Sequence, residues 1–393
     1  MKPKFEVADI LNRFWERCDK TRFSNHQKRT LQALMQCRTA ALGGHIDACD
    51  TCGSLKISYN SCRNRHCPKC QAIEKEMWMI QREEELLPIS YFHVVFTLPH
   101  QLNDWCMHQP KILYDLLFNA AWKTLDTFAK DPKWLGAQLG VSMILHTWGQ
   151  NLTLHPHVHT IVSGGGLTPE GNWKKPKKGA KRFLFPVKAM NKVFRAIFIK
   201  GLSQALKEQK LPYSQAEFLL LKQQLLTKDW IIYAKAPFAG ANNVVEYLGR
   251  YTHKIAISNH RILDINDNEV TFAYKDYADK AKKKQMTLSP QEFIRRFALH
   301  ILPSGFRRIR HFGFLANAAK PKALPKARAA LKSPPKKPST SQERKDLAIK
   351  RLFPQQDLHK CPHCEKGIFQ TQTTILPQRA PPTPNPILQN PKP

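Results

Sequence analysis

The stretch Asn151-Leu-Thr-Leu-His-Pro-His-Val-His-Thr-Ile-Val-Ser-Gly-Gly-Gly166 decides how this chain is read. His155, His157 and His159 fall at every second position. A strand sends alternate side chains to one face, so the three imidazoles are expected to project together, with Val158 on the other face. Ile161 continues the strand and Gly164 to Gly166 end it. Imidazole is a common ligand of divalent metals, so two histidines flanking one apolar residue can hold an ion from a rigid sheet.

Just upstream, Leu139-Gly-Val-Ser-Met-Ile-Leu-His-Thr-Trp148 reads as a second strand. The connection through Gly149-Gln-Asn151 is short enough for an antiparallel hairpin, which sets His146 across from the His157/His159 pair. The third ligand is therefore expected from His146 or His155, with His253 as a further candidate. Downstream, Val244-Val-Glu-Tyr-Leu-Gly-Arg-Tyr-Thr-His-Lys-Ile-Ala-Ile257 places Tyr247 and Tyr251 four residues apart, on one face of a helix. Tyrosines at that spacing are commonly core residues, but beside a metal strand they acquire a chemical use. A phenol, with a reference pKa of about 10, is a weak nucleophile. A metal on a nonbridging phosphate oxygen neutralises charge and orients the phosphorus for in-line attack. The product is a covalent phosphotyrosine that conserves the bond energy for rejoining.

With these motifs the chain resembles the HUH endonuclease superfamily, specifically the two-tyrosine rolling-circle transposases of the insertion-sequence ninety-one type. Three further blocks carry the resemblance: Tyr59-Asn-Ser-Cys-Arg-Asn-Arg-His-Cys-Pro-Lys-Cys-Gln71, Arg250-Tyr-Thr-His-Lys-Ile-Ala-Ile-Ser-Asn259 and His300-Ile-Leu-Pro-Ser-Gly-Phe-Arg-Arg-Ile-Arg-His-Phe-Gly313. Together they cover roughly the first four-fifths of the chain, in order. The resemblance implies an α+β fold with a central antiparallel sheet, the metal strand at its centre and the tyrosine helix over it. It also implies nicking and rejoining of single-stranded DNA. Magnesium or manganese at His157 and His159 polarises the phosphate, Tyr247 or Tyr251 attacks, and a 5′-phosphotyrosine and free 3′-hydroxyl result. The second tyrosine then acts on the other strand, which gives rolling-circle transposition. No Gly-x-x-x-x-Gly-Lys-Ser/Thr loop is present, so host helicase and replication machinery are implied partners.

Charge supports a polyanionic partner. The 62 Lys+Arg residues outnumber 30 Asp+Glu, for a formal charge of +32, and phosphate contacts would make binding fall steeply with salt. No apolar run approaches the roughly 18 residues of a membrane span, and the start lacks a secretory apolar region. The expectation is a cytoplasmic protein that acts on DNA, with no membrane partner and no small-molecule substrate. In that reducing setting the ten cysteines suggest metal rather than disulfides.

Cys49-x-x-Cys52 and Cys67-x-x-Cys70 are spaced for a four-thiolate zinc site. His45, Cys62 and His66 leave a mixed site or a second ion open. Cys18 and Cys37 have no close cysteine partner in sequence and read as buried thiols. Arg63, Arg65 and Lys69, between the ligands, suit a phosphate backbone. So do Arg250, Arg295, Arg296, Arg307, Arg308 and Arg310. The basic loop 174–182 is either a contact for the substrate strand or a solvated loop.

Three parts are expected. Residues 1–87 form a helical and zinc-ribbon DNA-recognition domain, and 88–317 the α+β nuclease domain. Residues 318–393 form a basic, proline-rich, largely disordered tail, in which Cys361-Pro-His-Cys364, with His359, is either half a zinc site or a pair of exposed thiols. The competing reading is a non-enzymatic zinc-dependent DNA-binding protein whose histidines and tyrosines are structural. A zinc hydrolase or deaminase is disfavoured, because the chain lacks His-Glu-x-x-His and its histidine strand carries no His-x-Glu paired with Pro-Cys-x-x-Cys.

Overall fold

The computed structural model describes residues 3–176, 184–238, 244, 249, 255–277, 279–354 and 360–378. The chain opens with helices α1 (Val7–Phe14) and α2 (Asn25–Gln36). Ser24 starts α2 with a capping box: its hydroxyl accepts from the Gln27 amide at 3.2 Å, and the Gln27 side chain accepts from the Ser24 amide at 2.8 Å. Strands β1 (Gly44–Cys49) and β2 (Leu55–Tyr59) form a hairpin whose turn is the first cysteine knuckle. Helix α3 (Ala72–Glu85) then leads away from the second knuckle.

The central layer follows: β3 (Tyr91–Thr97), α4 (Asn103–His108), α5 (Pro110–Lys130), β4 (Gln138–Trp148), β5 (Leu154–Leu167) and the two-residue β6 (Trp173–Lys174). After these come α6 (Val187–Lys207), α7 (Gln215–Thr227) and β7 (Ile231–Ala234). The remaining elements are β8 (Ile262–Ile265), β9 (Val270–Asp276), β10 (Lys282–Leu288), α8 (Pro290–Leu299), β11 (Ile309–Gly313), α9 (Lys320–Ala330), α10 (Ser341–Leu352) and β12 (Phe369–Ile375).

The main sheet runs β11-β4-β5-β3-β7, antiparallel at every step, with the histidine strand β5 in the middle. This is the α+β architecture with a central antiparallel sheet. The alternation of β5 explains its place, because both its faces are covered. Val158 and Val162 point with Val141, Met143, Leu145, Phe92, Val94 and Phe96 into a core closed by α5, α6 and α7. Phe96 meets Phe194 edge to face at 5.0 Å. Burial of such a side chain contributes about 2–3 kcal/mol, so this face holds the sheet together and leaves the other for chemistry.

Two expectations about domains do not hold. Helices α1 and α2 do not form a separate core within residues 1–87. Ile10, Phe14 and Leu31 share one cluster with Phe272, Phe293, Phe297 and Ile301. A helix pair of this size buries its apolar stripe only against a partner, and here the partner is the β8–β10 sheet with α8. Nor is the stretch from residue 318 without structure. Proline and lysine hid three elements whose partners lie far away in sequence. Strand β12 pairs antiparallel with β1. Helix α9 sends the buried Arg328 to the Glu84 and Leu86 carbonyls at 2.7 and 2.9 Å, satisfying the end of α3. Helix α10 brings Arg351 to Glu76 and Glu83 at 3.1 and 2.8 Å. Residues 379–393 lie outside the described residues.

Candidate active site

Register makes the site. In the β4–β5 hairpin His146 stands opposite His157 and Ile144 opposite His159, so the even positions of β4 and the odd positions of β5 share a face. The ring nitrogens of His146, His157 and His159 lie within 4.8 Å of one another. Ring centroids are 4.6 Å apart for His146–His159, 4.9 Å for His157–His159 and 5.5 Å for His146–His157. The third member is thus His146. His155 is exposed and stands outside the group; it falls where the β4–β5 register shifts, between the His146–His157 and Trp148–Leu154 pairs. Its backbone still matters: the His155 carbonyl accepts a hydrogen bond from His157 Nδ1 at 2.6 Å. A carbonyl only accepts, so Nδ1 carries the proton and Nε2 holds the lone pair a metal needs.

Sequence reasoning passed over His93 on β3. It is buried, and its Nε2 lies 3.0 Å from His159 Nδ1. If His159 donates from Nδ1, its Nε2 is likewise left as the ligand atom. Burial, then Lys235 and His157, push His93 down to about 3, so it stays neutral and able to accept. Burial and then His155 push His157 down to about 4, which keeps that imidazole unprotonated at neutral pH. A lone histidine between Phe92 and Val94 was the available signal for His93.

The hairpin turn is held from outside. Arg261 donates to the Gln150 carbonyl, Arg296 to the Asn151 carbonyl at 3.3 Å, and His300 Nε2 to the Leu152 carbonyl at 3.1 Å. Consecutive carbonyls with three side-chain donors fix the turn and, through it, the strand register of the histidines. Trp148, half-buried, stacks on His146 at 4.7 Å. Beside it a cleft of about 290 Å³ is lined by Pro68, Lys75, Trp148 and Arg261. A larger groove of about 1020 Å³ lies between α5 and α6 on the opposite side of the sheet, away from the histidines.

Tyr247, Tyr251, Arg250 and His253 lie outside the described residues. The described residues Val244 and Gly249 bracket Tyr247. Val244 packs with Tyr91, Ile144 and Ile161, and Ile144 and Ile161 alternate with His146 and His159 on the histidine face. Gly249 sits so close to α3 that an added Cβ would fall 2.3 Å from Met79 Sδ.

The cysteines pair differently from their spacing. Cys67 and Cys70 converge with Cys37 and Cys62, while Cys49 and Cys52 converge with Cys361 and Cys364. The expected Cys49/Cys52/Cys67/Cys70 site is therefore divided. Spacing of two residues shows that two sulfurs share an ion but not which pairs meet. The end of α2 brings Cys37 to the second knuckle, where its Sγ accepts from the Cys62 amide at 3.4 Å and lies 3.5 Å from Cys67 Sγ. Cys37 is thus not a solitary thiol.

Residues 10–98 match the family described as a transposase zinc-binding domain, and residues 140–323 the family described as "Putative transposase". The "Putative transposase y4qJ" of Sinorhizobium fredii (strain NBRC 101917 / NGR234) is 43% identical over 374 residues, covering 92% of this chain and 93% of that protein. The chain belongs to the IS91-type transposases. The "Transposase for insertion sequence element IS801" of Pseudomonas savastanoi pv. phaseolicola is 31% identical over 319 residues, 77% of this chain and 73% of that protein. No solved structure matches the chain. A transposase is a DNA-processing enzyme, so DNA is its partner, and the zinc-binding domain with its cysteine groups makes zinc a structural component. Among the described residues no helix is long and apolar enough to cross a membrane.

For this transposase the expected phosphate-binding cations need sorting. Arg63 and Arg307 are exposed. Others are engaged within the fold. Arg65 donates to the Phe306 and Pro303 carbonyls at 2.5 and 3.4 Å, and Lys69 pairs with Glu6. Arg295 and Arg296 both bind Glu292, at 2.6 and 2.7 Å, and hold it down to about 2. Arg308 is buried, and Arg310 pairs with Asp115 while lying 4.3 Å over the Phe118 ring. Sequence shows a cation but not whether a carboxylate has already claimed it.

Proposed function

We propose that this transposase nicks and rejoins single-stranded DNA through a tyrosine of the 244–251 segment, with His146, His157 and His159 holding a divalent cation. The observation that carries the proposal is the convergence of three imidazoles on the sheet face that Val244 covers. The donor set fits a cation: the His157 lone pair faces away from its carbonyl anchor, and His93 is placed to orient His159 in the same sense. A set built of imidazoles favours manganese over magnesium, which prefers oxygen ligands. A bound cation supplies Lewis-acid neutralisation of the scissile phosphate.

The chain's residues do the rest. The Tyr247 or Tyr251 oxygen attacks phosphorus in line, the bond from phosphorus to the 3′-oxygen breaks, and that oxygen leaves as a 3′-hydroxyl. The 5′-phosphate stays on the tyrosine, and a later 3′-hydroxyl reverses the exchange without net loss of a phosphodiester. Trp148 offers a stacking surface beside the site and Lys75 a charge for the backbone, as single-strand binding requires. The second tyrosine handles the partner strand, and host helicase and replication proteins supply strand separation in a rolling-circle cycle.

The test is incubation of the purified chain with labelled single strands bearing element ends, with manganese, magnesium or chelator. A covalent protein–DNA adduct that needs metal supports the proposal. DNA binding without any adduct returns the chain to the non-enzymatic reading.

A further inference from the structure

Cys361 and Cys364 lie outside the residues matched by either family and have no part in the site above. They close on Cys49 and Cys52. Cys49 Sγ is 3.6 Å from Cys364 Sγ, and Cys52 Sγ is 3.6 Å from Cys361 Sγ. All four lie within 4.8 Å of one another. A disulfide would need about 2.05 Å. Four thiolates at about 2.3 Å from one zinc ion stand at tetrahedral corners, and the edge of that tetrahedron is about 3.8 Å. The observed separations match the edge.

The backbone on both sides is that of a metal knuckle. In the first, the Gly53 amide donates to the Cys49 carbonyl at 3.0 Å and Gly53 has φ +70°. In the second, the Glu365 amide donates to the Cys361 carbonyl at 2.9 Å, and Glu365 takes φ +56°. A glutamate in the left-handed region carries a steric cost that the turn must offset. The Gly367 amide donates to Cys364 Sγ at 3.3 Å. A Cβ at Gly367 would meet Cys49 Sγ at 2.4 Å, so only glycine lets the two knuckles approach.

We infer that Cys49, Cys52, Cys361 and Cys364 form a second tetrathiolate zinc site that fastens the carboxyl-terminal segment to the amino-terminal module. The site completes the β12-β1-β2 sheet from strands more than 300 residues apart in sequence. It also closes a strap, because the chain between its halves includes α9 and α10, whose Arg328 and Arg351 lie along α3. The other site, at Cys37, Cys62, Cys67 and Cys70, is independent in its ligands.

The experiment measures metal in the full chain. Cobalt replaces zinc, and the sulfur-to-cobalt charge-transfer band, which imidazole ligation does not produce, is titrated. Two cobalt ions per chain should contribute to that band. Cys361→Ser with Cys364→Ser should halve its final intensity and lose one zinc equivalent, while Cys37→Ser with Cys62→Ser should lose the other half. Zinc-edge X-ray absorption on the unaltered chain should show four sulfurs per ion, a result that does not depend on whether a variant folds. The inference is overturned if the unaltered chain binds one thiolate-ligated ion, or if the Cys361/Cys364 variant keeps two. It is equally overturned by a mass 4 Da low, marking two disulfides, or by a chain that purifies with iron there.

Discussion

His93 offers the most discriminating perturbation, because it touches neither DNA nor metal in the proposed arrangement. Its Nε2 lies 3.0 Å from His159 Nδ1 and its side chain is buried. His93→Phe keeps the ring volume and removes the acceptor. His159 can then rotate, or present the wrong tautomer. Outer-shell partners of this kind are worth about 10–100-fold in metal affinity, or about 1.4–2.7 kcal/mol. The concentration of manganese that half-saturates adduct formation should therefore rise by about that factor. The rate at saturating manganese should recover most of its value, since no reacting group has gone. His93→Gln retains an oxygen that can accept and should restore part of the affinity. Isothermal titration of manganese and metal-dependent adduct yield read both quantities, with a thermal melt to show that the fold persists. Unchanged manganese affinity in a folded His93→Phe chain would refute the role of His93. A loss that saturating metal cannot overcome would assign it to chemistry rather than positioning.

Other outcomes can be checked in the same preparations. Tyr247→Phe and Tyr251→Phe should each retain an adduct on a simple nicking substrate, and the double variant none. Both single variants should fail to transpose in cells, and mass spectrometry of the trapped peptide identifies the nucleophile; full transposition with one tyrosine would end the two-nucleophile scheme. Arg328→Met should cost about 2–3 kcal/mol in urea unfolding, because it leaves the Glu84 and Leu86 carbonyls without their buried donor; a change under about 0.5 kcal/mol would show the α9 contact to be incidental. Acid should destabilise the fold through His300, which burial pushes from 6.5 down to about 4. The unfolded chain takes up a proton below about 6.5 and the folded chain does not until about 4, so stability present above that window declines as pH falls through it, by at most about 3 kcal/mol. His300→Gln should make the urea-midpoint profile less steep between those limits, the remainder coming from His93 and His157, which burial also pushes down, and an equally steep profile would place the acid sensitivity elsewhere.

Local pattern was enough for the elements that carry the chemistry. Alternation at His155, His157 and His159 specified a strand, and a short connection to Leu139–Trp148 specified its antiparallel partner. Those two facts placed His146 across from the His157/His159 pair, while the pairing of His146 with His157 itself depends on a register shift between His146 and Trp148 that the tertiary structure supplies. Cys-x-x-Cys spacing likewise showed that sulfurs work in pairs, since a knuckle is a local structure. Pairing between knuckles is not local. Cys37 joins Cys62, Cys67 and Cys70 only because the end of α2 lies beside that knuckle, and Cys49 meets Cys361 only because β12 docks on β1. The same limit applies to charge. Arg295 and Arg296 stood in sequence as phosphate ligands, yet the helical turn places Glu292 within reach of both. Composition marked residues after 318 as chain without a core, and that stretch does lack one of its own. It orders by lending cations and one strand to α3 and β1, contacts whose energy comes from partners more than 200 residues away. Periodicity reports what a segment can form by itself, whereas close packing and ligand geometry depend on which surfaces the fold brings together.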